Sequence, residues 1–231
     1  MSHRPDETSL TPDERRSWRS FVELHDEGRR TEALTALDAL VTSLGGDDAR
    51  RDRFAEALAV AWIDPLEPGE HAPTLLRHPL WQRVLLPHLE RRVDSADGAR
   101  RLGIVLATGS VARTDLDERD LLRRAAEQET VGTQSRRWLL DTLLKDLEYA
   151  FHELPAGVLA EPEELESDAD WLQRLASELQ REDELRPVVD YVRQHAAASR
   201  AFRRRTDRSV SYAALLEALA IEWRDAPAPL R

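Results

Sequence analysis

The seven histidines come first among residues that could do chemistry: His3, His25, His71, His78, His88, His152 and His195. Imidazole changes charge near neutral pH and is the commonest metal ligand. Glu148 and His152 lie four apart, a spacing that puts both on one helical face. No second histidine joins them, and no H-E-x-x-H run occurs. His152 therefore reads as a surface or core-edge residue beside Phe151. Nucleophilic chemistry has no foothold either, since there is no cysteine and no G-x-S-x-G elbow. The single lysine, Lys145, follows no Gly-rich segment, which removes the phosphate-binding loop. The run EPEELESDAD, 161–170, holds six acids in ten residues. It lacks the alternating ligands, central glycine and terminal glutamate of a calcium loop, so it reads as solvated. No residue is assigned to catalysis, a metal or a cofactor.

One local cluster is basic in an acidic chain. Arg200, Arg203, Arg204, Arg205 and Arg208 stand against one acid, Asp207. A helix C-terminus favours cations, but that accounts for one or two of the five. The cluster reads as a helix end with surplus charge and as the candidate partner-binding site. Its expected partner is an acidic protein surface or a second copy of the chain. The acids of 161–170 could meet it, within one molecule or across a dimer. Nucleic acid is disfavoured, because the chain carries a formal charge of −11. The nearby aromatics, Phe202 and Tyr212, also fit the apolar faces of their own helices.

One spacing resembles a known chemistry. HEPN-type helical nucleases cut RNA with an arginine and a histidine separated by four to six residues. Arg19 with His25, and Arg83 with His88, match that spacing. Arginine is so abundant here that chance alone supplies as many matches.

The elements that must position these residues are helical. Hydrophobic residues make up 41% and charged residues 33%, with only nine glycines. Ala, Leu, Arg and Glu dominate, and all are good helix formers. Thr11-Pro12-Asp13-Glu14 predicts a capped start, with Trp18, Phe21, Val22 and His25 on one face. Gly28 ends that helix. Ala33, Leu34, Leu37, Leu40, Val41 and Leu44 predict a second, stopped at Gly45-Gly46 and packed antiparallel on the first. Phe54, Leu58, Ala61 and Trp62 mark a third. A helix from near Pro79 is expected to kink or split at Pro87. The run 102–112 reads as helix, with strand as the alternative. Further helices come around Leu121, from near Thr133 to Leu154, and around Leu172. The last two are one opened by Pro187 and one carrying Tyr212, Leu215, Leu219 and Trp223.

The first hairpin, about 15–46, resembles a tetratricopeptide unit. Trp18, Phe21, Val22 and His25 stand on its first helix, and Ala33 and Leu37 on its second. Val22 and His25 occupy the places of the family's Gly and Tyr. The resemblance implies a protein-binding concave surface rather than an active site. The fold class is all-α: nine or ten helices in antiparallel hairpins, as a repeat-like array or an irregular bundle. Residues 1–10 read as a disordered tail, 11–224 as one domain with possible sub-boundaries at 64–73 and 155–168, and 225–231 as a second tail. No signal peptide or membrane span is read, and the expected compartment is the cytoplasm. The functional expectation is a non-enzymatic adaptor or scaffold. The alternatives are an enzyme site assembled from distant helices, or a nucleic-acid regulator using the arginine cluster.

Overall fold

Thr11 starts the first helix, α1 (Pro12–Asp26), and satisfies two orphan donors with Glu14. The Thr11 hydroxyl accepts from the Glu14 N–H at 3.3 Å, and the Glu14 carboxylate accepts from the Thr11 N–H at 2.8 Å. The other oxygen of Glu14 accepts from Ser43 Oγ at 2.8 Å and from Arg50 Nη1 at 3.0 Å. Ser43 belongs to α2 (Arg30–Leu44) and Arg50 to α3 (Asp48–Trp62), so one buried capping residue ties three helices. Burial alone would raise its pKa, but the Thr11 and Ser43 hydrogen bonds and the Arg50 charge hold it below the usual range.

The computed structural model describes residues 5–73, 75–76, 79–109, 115–130, 132–205, 209–224 and 226–230. Among these there are ten α-helices and no strand, an all-α fold. No described helix is long and apolar enough to cross a membrane. The chain divides into two compact units, one through Trp138 and one from Leu139 onward.

In the first unit α1 and α2 pack along each other. Trp18 contacts Phe21, Phe54 and Trp62, with ring centroids 5.3–5.6 Å apart. Leu10 is buried against this unit, and Glu7 pairs with Arg19 at 2.9 Å. The helix that carries Pro87 does not split: it runs on through residues 80–90 and is widened just ahead of the proline. A π turn (Trp81–Leu85) precedes α4 (Leu86–Glu90), and the Leu86 N–H reaches back five residues to the Trp81 carbonyl. Proline lacks a donor and its ring crowds the carbonyl four residues back, so a widened turn ahead of it relieves both problems.

The ambiguous run resolves as helix. Residues 102–107 end α5 (Ala96–Ala107), while 110–112 lie outside the described residues. Ser95 caps α5 by accepting from the Gly98 N–H at 3.2 Å. α6 (Glu118–Gln128) packs along α5 at Gly103, where an added Cβ would stand 2.8 Å from Leu122 Cγ. α7 (Gln134–Phe151) begins in this unit, and Trp138 Nε1 donates to the Leu66 carbonyl at 3.2 Å.

In the second unit α8 (Pro162–Glu178) packs along α9 (Glu182–Arg203). From Pro162 on the acidic run forms the first turns of α8. Pro187 does not open a helix. It sits inside α9, where it forfeits one bond, to the Asp183 carbonyl near the helix start. The last helix, α10 (Tyr212–Ala218), stops before Leu219, and Trp223 lies beyond it.

Three helix ends close with the same paired bonds. After α1 the bonds are Arg29 N–H to the Leu24 carbonyl and Gly28 N–H to that of His25. After α8 they are Arg181 to Ala176 and Gln180 to Ser177; after α10, Ile221 to Leu216 and Ala220 to Glu217. The motif needs a left-handed residue, and only the first end uses glycine. Gln180 and Ala220 adopt φ of 57° and 54° without it.

Candidate functional site

Asp52 and Glu56 lie four apart on α3, so both face one side of that helix. Asp64 comes just past its end. Across from them α5 presents Arg100 and Arg101. Arg101 is only 6% exposed, and each of its donor nitrogens is engaged. Nε and Nη2 grip the two Asp64 oxygens at 2.8 and 2.7 Å, a bidentate fork. Nη1 donates to Glu56 Oε1 at 2.8 Å. Arg100 Nη2 adds a bond to Asp64 Oδ1 at 3.0 Å, and Arg100 also donates to Gln134. Gln134, in the first turn of α7, donates to the carbonyls of Asp64 and Leu66 at 2.8 and 2.9 Å.

α4 closes the other side. His88 is 1% exposed, with Nε2 at 3.1 Å from Glu56 Oε2 and Nδ1 at 3.6 Å from Asp52 Oδ1. Arg92 donates to Glu56 Oε2 at 3.0 Å, and Arg91 pairs with Asp52. Gly98 allows this approach, since a Cβ there would stand 2.0 Å from the Arg92 carbonyl oxygen. Burial would raise the pKa of Glu56 and of Asp64, but the Arg101 hydrogen bonds and charge outweigh it, so both are held below the usual range. Burial works against the Arg101 charge as well; Asp64 first and Glu56 second more than restore it. These carboxylates are ionised acceptors with their positions filled, which does not suit proton transfer.

Two hollows flank the network. The larger, about 820 Å³, is a cleft along α3. Its floor bears Arg53, Glu56, Ala57, Val60 and Ala61; Asp6, Thr8 and Ser9 form one wall and Arg92 stands at another. Val60 is 51% exposed there. Arg53 is exposed on the same floor and makes no close ion pair among the described residues, its charge acting at longer range on Asp47. The smaller hollow, about 480 Å³, is lined by Asp64, Asp97, Arg100, Glu129 and Gln134. Arg101 joins the two through Glu56 and Asp64.

The arginine cluster is partly engaged within its own unit. Arg200 donates to Glu163 at 3.2 Å and pairs with Glu166, and Arg203 pairs with Glu161. Hydrogen bonds with Arg200 hold Glu166 below its usual pKa; Glu163 is held down first by its own backbone and then by Arg200. Arg204 and Arg205 are exposed and make no ion pair among the described residues, and Arg208 lies outside them. The sequence-matched Arg–His pairs do not converge on shared partners. Arg19 turns to Glu7 and His25 to Asp26, while Arg83 takes Asp38 and His88 takes Glu56. His152 stacks on Tyr149 and meets Glu153 at 2.9 Å rather than Glu148. His195 is fully buried in the second unit, and His3 and His78 lie outside the described residues. Among the described residues no group of three acids or histidines is placed to hold a metal ion.

Sequence reasoning singled out His88 but passed over Arg101, Glu56, Asp64 and Val60. Acids at 52 and 56 beside the buried positions Phe54 and Leu58 were the available signal for the network. Comparison with protein-family models, with curated proteins and with solved structures gives no match.

Proposed function

We propose that this chain is a non-enzymatic helical interaction module, acting in the cytoplasm, that takes a partner segment in the cleft along α3. The observation that carries this reading is the division of labour on that helix. Its acids are consumed by Arg91, Arg92 and Arg101, while the adjoining stripe of Ala57, Val60 and Ala61 stays open. The occupant is a peptide segment with an aliphatic side chain for that stripe and an acidic group for Arg53. Charge complementarity argues for the acid, because the cleft's carboxylates on α3 already hold arginines other than Arg53. The α1–α2 hairpin is, in this reading, a tetratricopeptide-like unit that supports the floor.

A second reading places an acidic partner on the end of α9, favoured by the exposed Arg204 and Arg205. Selection of binders from a random peptide library on the full chain separates the two. The cleft reading expects acidic–aliphatic peptides that lose at least tenfold in affinity on Val60→Asp and on Arg53→Glu. They keep it on Arg204→Glu with Arg205→Glu. Binders indifferent to the α3 substitutions but abolished by the α9 pair would transfer the site to α9. Circular dichroism of each variant verifies folding.

A further inference from the structure

α9 buries a histidine that lacks hydrogen-bond partners. His195 has no exposed surface, and neither ring nitrogen meets a partner with hydrogen-bond geometry. The Glu222 backbone lies close enough to draw on the ring, but not in that geometry. The ring is walled by Tyr191 at 4.4 Å and by Phe151 of α7 at 5.3 Å between centroids. The Tyr191 hydroxyl is buried and likewise without a hydrogen-bond partner. α10 covers this stretch of α9. Its Tyr212 hydroxyl donates to the His195 carbonyl at 3.4 Å, and Leu215 and Leu216 pack with Ala198.

The titratable and charged groups around the ring come from each packed element. Tyr191 shares α9, Phe151 of α7 is uncharged, and α8, packed along α9, has a buried acid in Asp168, while the effects on the ring itself are burial and the Glu222 backbone. The α10 side brings Tyr212 and the carboxylate of Glu222, which faces Tyr191. Burial, reinforced by that carboxylate, pushes Tyr191 up to about 12. The histidine goes the other way: burial pushes it down to about 4, against a smaller opposing pull from the Glu222 backbone. The closed state therefore favours the neutral ring and penalises an imidazolium.

We propose that His195 makes α10 an acid-released cap: the protonated ring is accommodated by α10 and the chain through Trp223 lifting from α9. α10 is the element suited to yield. It is seven residues long, against the twenty-two of α9, and it holds on through few buried side chains. Release uncovers the apolar surface around Ala198 and Phe202, which the closed state hides.

The direction comes from linkage. The open state, with an ordinary histidine near 6.5, binds the proton more tightly than the closed state near 4. Opening is thus favoured progressively as pH falls below 6.5 and gains nothing further below 4. Between about pH 7 and about pH 4.5 the opening constant rises by at most about sixty-fold.

Hydrogen exchange of the full chain tests this, corrected for intrinsic rates, at about pH 7 and about pH 4.5. The expected result is a tenfold or greater loss of protection in residues 212–221 at the lower pH. The His195→Leu variant keeps its protection at both. Equal loss in wild type and variant, or no loss in wild type, overturns the proposal. Should the variant fold poorly, the His195 ring is titrated by NMR in wild type. A midpoint coinciding with α10 opening supports the cap, and two separate midpoints overturn it.

Discussion

At the scale of the residue, Arg101 carries the most consequence. Burying an ion pair gains little over an apolar core, but removing one partner leaves charge stranded. Arg101→Met removes three charge-assisted bonds but leaves Glu56 with Arg92 and His88 and Asp64 with Arg100, and is expected to cost about 1–3 kcal/mol in urea denaturation. Arg101→Lys recovers only part of that, since one ammonium cannot reproduce a fork to Asp64 and a third bond to Glu56. The same carboxylates set an acid limit. Their folded pKa values lie below the ordinary 3.8 of Asp64 and 4.5 of Glu56, so their stabilisation is complete above those values. It is lost as pH falls through the lower, folded values. In Arg101→Met the denaturation midpoint should vary less with pH below about 4.5 than in wild type, which a pH series of melts would read. None of this was legible in the sequence. Thirty-three basic and forty-four acidic residues offer too many pairings for spacing alone to choose Arg101 with Asp64. His88 was visible as a histidine, but its partners come from a helix thirty-two residues earlier.

At the scale of the element, local signals were legible and their exceptions instructive. The Thr11–Glu14 box, the Gly28 stop and the widened turn ahead of Pro87 all arise from short-range chemistry. Pro187 misled because proline marks a first turn only by preference, and α9 gains its start from Glu182, Asp183 and Glu184 instead. The helix ends at Gln180 and Ala220 were invisible, because neither residue advertises a left-handed conformation. That exposes two improvable positions: Gln180→Gly and Ala220→Gly should each raise stability by about 0.5–1 kcal/mol, read as a higher melting midpoint. Gly28→Ala should lower it by a similar amount. Glycines with φ in the ordinary range behave differently. Gly98→Ala meets a backbone carbonyl at 2.0 Å and should destabilise strongly, whereas Gly103→Ala meets the movable Leu122 side chain and should cost less. Comparative denaturation of the two variants checks the order.

At the scale of the whole molecule, the all-α class was legible from composition and periodicity, while the cleft was not. A cleft is a property of elements brought together, and Val60 reads from sequence like any other helix residue. The surface pairs of Arg200 and Arg203 illustrate the converse. The sequence allowed the acids at 161–170 to meet the arginines within one molecule or across a dimer, and Glu161, Glu163 and Glu166 do so within the molecule, yet exposed pairs contribute little. Replacing Arg200 and Arg203 with Ala should leave the thermal midpoint unchanged within error. The π turn ahead of Pro87 has a consequence of another kind, one of chain length. It holds one residue more than a regular helix needs, so it behaves as an insertion lodged inside a helix. A relative shorter by one residue between 81 and 86 would close that turn and swing the downstream chain by about 100°. His88 would then leave Asp52 and Glu56. Segment length and the identities at 52, 56 and 88 should therefore change together across relatives, as a single inherited character.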